Sequence, residues 1–398
     1  MTRPLRTTAN PRVLISGAGV AGPALAFWLA RTGFRPTIVE RALAFREGGQ
    51  AVDFRGPVHR AVLERMDIWQ AIHERRTRPT DLCLLGAGGK PVARLPEVMM
   101  SGDVEILRGD LCRIMYDRTA RDTEYRLGDR ITRLENREGS VRVEYARGKA
   151  EEFDLVVGAD GLHSGVRALA FAAEARVLRH HGYRIATFAL KNPLPAHLGA
   201  SCYSEPGRGA CLYGFSASEA RALLVSCDGP LARQKRDPEP QKRALSERFA
   251  GMGWCVPELI AALDAASDLY VDAVATVHLD RYANGRIALL GDAAWGGTLG
   301  GQGTSLAIVG AYVLAHELAA QSNPALAFAR YEAAMRPYAT RCQAGARRVG
   351  GFFAPRTRFG LMLRNVFYGT LSAPCLSGLF ERMVKGAASD FALPEYAS

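Results

Sequence analysis

A chain of 398 residues with 48% hydrophobic side chains can bury a sizeable core and hold two domains, which excludes a disordered chain or a small disulfide scaffold. The formal charge of +11 invites a nucleic-acid reading, but lysine and arginine are scattered, with no dense run and no basic-aromatic register, so that class is set aside. The eight cysteines form no CxxC pair and no Cys/His cluster at zinc spacing; they read as dispersed small apolar residues in a reducing cytoplasm, without a metal site.

After a basic tail, the apolar run Val13 to Ile15 is followed by Gly17, Gly19 and Gly22, then by a helical pattern with Leu25, Trp28 and Leu29 on one face. Strand, tight turn and helix are expected. In a dinucleotide fold Gly17 makes the turn, Gly19 admits the backbone to a pyrophosphate, and Gly22 lets helix and strand pack; Val20 and Ala21 lie between them at the helix start. Pro23 falls in the first helical turn, where its missing N–H costs little. A second strand, Pro36 to Val39, ends in Glu40, about 20 residues past the glycines, as a ribose-binding carboxylate requires. A glycine-rich turn in an ordinary α/β core would leave Glu40 unexplained. Val13 to Ala30 is uncharged, but its glycines and proline argue against a signal peptide or membrane span, and no later stretch is expected to offer a full apolar span.

Arg41 leads into a segment from Arg46 to Pro57 with paired glycines and Asp53, read either as a mobile cover over a ligand or as a surface loop. A helix is expected from Val58 to Ile72. Asp81 to Leu85 and Pro91 to Leu95 flank the glycine-rich turn of a hairpin. Glu105 to Met115 reads as a strand end opening a helix, with Asp110 a candidate N-cap and Arg108 at the junction. Ile131 to Asn136 and Ser140 to Tyr145 alternate as a half-exposed ribbon. The strand from Phe153 to Gly158 ends in a tight turn with Asp160 and Gly161 at its tip.

From about 171 to 275 the pattern changes to β-like runs, Tyr183 to Leu190, Ala200 to Glu205, Ala210 to Phe215 and Ala222 to Cys227, which predict a largely antiparallel sheet. Two helices follow, Pro238 to Phe249 and Pro257 to Ala266. The strand Ile287 to Leu290 ends at Gly291-Asp292. A glycine-rich loop with Trp295, Gly301, Gln302 and Gly303 then feeds an apolar helix from about Thr304 to Ala319, a second ready-made anion site. Amphipathic helices are expected from Pro324 onward.

Three motifs stand in order: Gly17-x-Gly19-x-x-Gly22 with Glu40, then Gly158-Ala-Asp160-Gly161-x-x-Ser164-x-Val-Arg167, then Gly285-Arg286-x-x-Leu-Leu-Gly291-Asp292. The set resembles the class A flavin monooxygenases, the para-hydroxybenzoate hydroxylase family, over nearly the whole chain. Within it, Gly48-Gly49-Gln50-Ala-Val-Asp53 and Gly301-Gln302-Gly303 look closest to the polyketide hydroxylases and tetracycline-inactivating monooxygenases. The loop Trp295-Gly-Gly-Thr-Leu299 departs from the family, which usually carries His or Tyr and prolines there.

The resemblance implies an α/β fold: a Rossmann-like FAD-binding domain (1–75, 100–170 and 276–398, with C-terminal helices) and an inserted β-rich substrate domain (76–99 and 171–275). It implies FAD along Gly17 to Gly22, Glu40, Arg41, Asp53, Arg108, Asp160 and Asp292. Gly301, Gln302, Gly303 and Thr304 would offer backbone N–H groups and a helix dipole to the flavin's pyrimidine end. It further implies NAD(P)H, O2, a flavin C4a-hydroperoxide and an aromatic or polyketide-like small molecule, in a cytoplasmic monomer or homodimer. Candidate substrate residues are Arg184, Tyr203, Tyr213, Phe215 and Trp295; His163, His180 and His181 are candidate acids or bases. A flavin oxidase, epoxidase, Baeyer–Villiger enzyme or non-catalytic flavoprotein that sequesters an aromatic compound stays open beside hydroxylation.

Overall fold

The computed structural model describes residues 10–45, 49–78, 80–97, 102–194, 199–228, 238–297, 303–372 and 391–396. Val13, Leu14 and Ile15, three apolar residues in a row, are wholly buried in the strand Arg12–Ser16. A strand apolar on both faces belongs inside a parallel sheet. It pairs in parallel with Arg35–Glu40 on one edge and Leu155–Gly158 on the other. Glu124–Leu127 extends one side, and Ile287–Leu289 with the short antiparallel Ala283–Asn284 extends the other, giving six strands. The first two motifs and the third thus end neighbouring parallel strands.

The helix Ala21–Arg31 packs on Gly303–Ala320, which packs in turn on the 30-residue helix Pro324–Phe353. Gly303–Ala320 is long and apolar enough to cross a membrane, which corrects the expectation that no later stretch is. Its apolar character has another physical basis: 67% of it is buried inside the protein, and a helix enclosed on most sides is apolar nearly all round.

The second sheet has seven strands in the order Tyr270–Val277, Leu178–Leu190, Ala220–Ser226, Arg208–Gly214, Gly199–Glu205, Leu82–Leu85 and Pro91–Leu95. Side chains alternate between its faces. One face, carrying Ala186, Phe188, Ala210, Leu212 and Leu224, is covered by the helices Pro238–Phe249 and Val256–Leu263. The opposite face carries Ile185, Cys211, Leu223, Val225 and Val274 and packs in part on Phe353. A two-stranded ribbon, Ala51–Phe54 with Val104–Leu107, and a three-stranded one, Ile131–Asn136, Val141–Tyr145 and Glu151–Phe153, complete the sheets among the described residues.

Three local expectations change. The helix expected from Val58 to Ile72 is two helices, Gly56–Arg65 and Trp69–Glu74, separated where Asp67 takes a left-handed φ of 57°. Asp110 is not an N-cap: its helix starts at Arg108, and Asp110 lies in the first turn, where its charge still favours the positive helix end. The cysteines are not all dispersed: Cys202 and Cys211 face each other across adjacent strands, Cα atoms 4.1 Å apart, and are joined as a disulfide.

Candidate active site

The glycine loop is built by close backbone approach. Gly17 has φ +110°, and a Cβ there would lie 2.5 Å from the Ala159 carbonyl oxygen, so the turn accepts only glycine. Gly22 is likewise pressed against the Gly17 carbonyl. Gly19 differs: the nearest atom to its would-be Cβ is Arg108 Nη2 at 3.5 Å, so its missing side chain leaves open space beside a guanidinium. Val20, at the start of the helix, makes no side-chain cap, and no acidic residue occupies the first turn. Uncapped N–H groups at a helix N-terminus, next to a glycine and an arginine, suit a pyrophosphate. Glu40 turns back to this loop, where Ala18 N–H donates to its Oε2 and Ala42 N–H to its Oε1, each at 2.9 Å. A carboxylate has about four acceptor sites, which leaves capacity for ribose hydroxyls. Arg41 is exposed beside it.

The second motif is tied to both others. Asp160 accepts from Ser164 Oγ and from the N–H groups of Gly165 (2.8 Å) and Val166 (3.1 Å), and Ser16 Oγ of the first strand reaches it at 3.4 Å. These bonds commit the Asp160 carboxylate to its own turn, so it shapes the loop rather than reaching toward a cofactor. The wholly buried Arg167 donates to Leu162 O (2.6 Å) and to Ala293 O (3.0 Å), locking the Asp160 turn to the third motif.

Asp292 is both accessible and crowded, which places it in a recess. Its side chain is accessible, yet burial is the largest influence on its carboxyl and raises its pKa; Arg108 opposes the shift and Asp272 adds to it. A group that is accessible and also densely surrounded lines a recess. Gly303, at the start of the long apolar helix, would place a Cβ 3.4 Å from Asp292 Oδ1, and Gly291 (φ +67°) would meet Ala21 and Ala307. The glycine loop, Asp292, Arg108 and the helix start at Gly303 and Thr304 therefore surround one site. Gly301 and Gln302 lie outside the described residues.

The second sheet brings only some expected residues to this space. Tyr213 shares a face with Cys211 and Leu223; burial first, and Glu105 second, raise its pKa, so it stays a neutral phenol beside the ribbon. Asp53 sits opposite Glu105 in that ribbon and pairs with Arg55 at 2.5 Å. Burial raises the pKa of both carboxyls. Tyr203 is on the other face, packed among Leu245, Phe249 and Trp254, because the two helices cover that side. Arg184 also leaves the site: it pairs with Asp228 at 3.5 Å, which pairs with Arg248 of the helix Pro238–Phe249. Phe215 is 40% exposed in the hairpin turn, its N–H bonded to Glu219 O.

Trp295 is core, not cavity wall. It is 2% exposed, in ring contact with Tyr282 (5.4 Å) and Tyr331 (6.1 Å). His180 is exposed, and His181 bonds Thr276 Oγ1 at 3.1 Å. His163 is held between Glu174 (3.0 Å) and Asp272 (3.1 Å).

Residues 10–346 match the family described as FAD binding domain. The chain belongs to that family. A Mycobacterium tuberculosis protein described as uncharacterized is 40% identical over 340 residues, covering 83% of this chain and 91% of that one. A flavin-dependent monooxygenase of Legionella longbeachae is 35% identical over 336 residues, covering 83% and 86%. The solved structure of the tetracycline destructase Tet(55) superposes with a TM-score of 0.82 at 33% identity, covering 98% of this chain and 99% of that one. As a flavin-dependent monooxygenase of this family, the protein binds FAD and is an oxidoreductase.

Sequence reasoning missed two polar residues on the strand Tyr270–Val277. Tyr270 and Asp272, two positions apart, lie on the sheet face shared with Tyr213, and Tyr270 is close enough to Arg108 and Asp292 to feel both charges. The alternation Tyr-Val-Asp-Ala-Val was the available signal; Asp272 interrupts its apolar pattern and concealed the strand.

Proposed function

We propose that this FAD-binding protein uses NAD(P)H and O2 to hydroxylate an aromatic or polyketide-like small molecule. The observation that carries the reading is the approach of the flavin motifs to one face of the second sheet, where Arg108 and Asp292 lie near Tyr270 and Asp272, with Tyr213 farther along the same face beside Glu105. Gly17, Gly19, Val20, Ala21 and Gly22 would hold the pyrophosphate, Glu40 and Arg41 the adenosine side, and Arg108 and Asp292 the ribityl region. When bound, FAD supplies the oxygen-transfer chemistry, with electrons from NAD(P)H.

The chain's own residues do the rest. The start of Gly303–Ala320 places a positive helix end near Asp292, which favours negative charge at the flavin's pyrimidine end. The buried sheet face and the ribbon keep water from the space where substrate sits. Tyr213 and Tyr270 offer rings to a planar substrate and hydroxyls to orient it. The similarity to Tet(55), by its name a tetracycline destructase, supports testing tetracyclic polyketides first. The test is NADPH consumption in air by the purified yellow protein, with phenols, indoles and tetracyclic polyketides, tracking peroxide and product mass. Substrate-stimulated consumption with a gain of one oxygen is expected. Bound flavin with neither stimulation nor product across the panel would count against hydroxylation.

A further inference from the structure

Tyr270, Asp272, His163 and Glu174 form one line of hydrogen bonds from the substrate cavity to the surface. Tyr270 Oη donates to Asp272 Oδ2 at 2.7 Å. Asp272 Oδ1 accepts from its neighbour's backbone, Ala273 N–H, at 2.7 Å and from His163 Nε2 at 3.1 Å. His163 Nδ1 donates to Glu174 Oε2 at 3.0 Å. With a carboxylate at each ring nitrogen, His163 donates from both, and its pKa is raised chiefly by the bond to Asp272. Burial opposes ionisation of Asp272, but the bonds from His163, Tyr270 and Ala273 and the imidazolium charge outweigh it, so it remains a carboxylate. His163 stands on the Asp160 turn, while Asp272 stands on the second sheet, so the line also spans the two halves of the site.

A phenol has one proton. Burial, reinforced by Asp272, raises the Tyr270 pKa well above that of a free tyrosine, so the hydroxyl stays protonated. That proton is committed to an ionised acceptor, the stronger kind of partner. What the hydroxyl can show the cavity is therefore its lone pairs. Tyr270 is only partly buried and lies within reach of the charges on Arg108 and Asp292, so those lone pairs border the cavity where substrate is placed.

We propose that Tyr270 is a specificity-determining hydrogen-bond acceptor, oriented by the positioning residues Asp272 and His163, and that the substrate presents a donor to it: a phenol or enol hydroxyl or a ring N–H rather than an ether or bare carbonyl oxygen. The inference rests on reading that sheet face as the substrate wall. It narrows the substrate class to molecules bearing a donor on the edge that meets the Tyr270–Val277 strand.

The test is a binding titration, followed through the absorbance of the bound oxidised flavin without NADPH, using 1-naphthol and 1-methoxynaphthalene as a matched pair. Wild-type protein is expected to prefer the naphthol by roughly tenfold or more, the scale set by leaving a buried acceptor unpaired. Tyr270→Phe, which removes one oxygen, should bring the pair to parity. Asp272→Asn should abolish the preference: Ala273 N–H holds the amide oxygen at the Oδ1 position, so the amide NH2 faces Tyr270 and releases the phenol proton toward the cavity, where the naphthol and the ether oxygen can each accept it. A latch that merely joined the two halves of the protein would lower both affinities together and leave their ratio unchanged. Equal wild-type affinity for the pair, or binding of neither, overturns the assignment, as does an unchanged preference in Tyr270→Phe protein with normal flavin content. Because no turnover is involved, a protein that discriminates the pair yet oxygenates nothing would refute the hydroxylase reading and leave this one standing.

Discussion

Two glycines two residues apart should fail in different ways when each is replaced by alanine. At Gly17 a methyl group would lie 2.5 and 2.8 Å from the oxygen and carbon of the Ala159 carbonyl and 2.9 Å from Asp160 Cα, with φ at +110°. These neighbours are backbone atoms of the adjacent strand's turn and have little freedom to withdraw. The strained φ costs about 1–3 kcal/mol and the overpacking about another 1–3, so Gly17→Ala should lose roughly 2–6 kcal/mol of stability even without cofactor. At Gly19 the nearest atom is 3.5 Å away, the far end of the Arg108 side chain, and φ is outside the left-handed region. Gly19→Ala should leave the apoprotein within about 0.5 kcal/mol of wild type. Its methyl group instead occupies the approach to the helix N-terminus and should weaken FAD by about 10- to 100-fold, the loss of one charge-assisted hydrogen bond. Denaturant unfolding of apoprotein and fluorescence titration with FAD separate the two effects. If Gly19→Ala destabilises the apoprotein as much as Gly17→Ala, or binds FAD like wild type, the placement of the pyrophosphate beside Gly19 is wrong.

Trp295→Ala should cost about 3–5 kcal/mol in denaturant unfolding and leave substrate preference unchanged; normal stability with altered preference would return Trp295 to the cavity wall. His59 is buried, with its ring bonded to Tyr338 Oη (2.8 Å) and Arg55 N–H (3.0 Å). Burial lowers its pKa to about 4, with Asp103 opposing and Arg55 assisting. The native imidazole is thus neutral while the unfolded one protonates near 6.5, so stability is present above that pH and is lost as pH falls from about 6.5 to 4, by up to about 3 kcal/mol. His59→Gln should flatten that part of the stability profile; an equally steep loss in the variant would refute the assignment. Thiol titration of denatured, unreduced protein should find two fewer thiols than after reduction, reporting the Cys202–Cys211 pair; a full count of free thiols would contradict the disulfide.

The two halves of the site differed in how far the sequence revealed them, and the difference is physical. Gly17 and Gly291 take φ values of +110° and +67°, and Gly22 packs on the carbonyl of Gly17 in the same loop, so their type and spacing carry the geometry of the turns with them. The sheet face is not local in this sense. Whether Tyr203 or Tyr213 meets the cavity depends on which side the helices Pro238–Phe249 and Val256–Leu263 cover, and no single strand encodes that choice. Arg184 follows a register irregularity between His180 and Arg184, and its partner Asp228 lies beyond the end of the neighbouring strand. Trp295 is three residues from Asp292 in sequence, yet it is buried against Tyr282 and Tyr331, residues that lie before and after the motif and that the motif itself does not announce. Tyr270 and Asp272 were legible only as a period of two, and their meaning comes from His163, more than a hundred residues earlier. The flavin motifs are therefore short and readable in sequence, while the face of the second sheet is assembled by contacts between residues distant in sequence. Specificity should change through substitutions on the second sheet, at Tyr213, Tyr270 and Asp272, with flavin binding preserved; the converse should hold at Gly19 and Asp292.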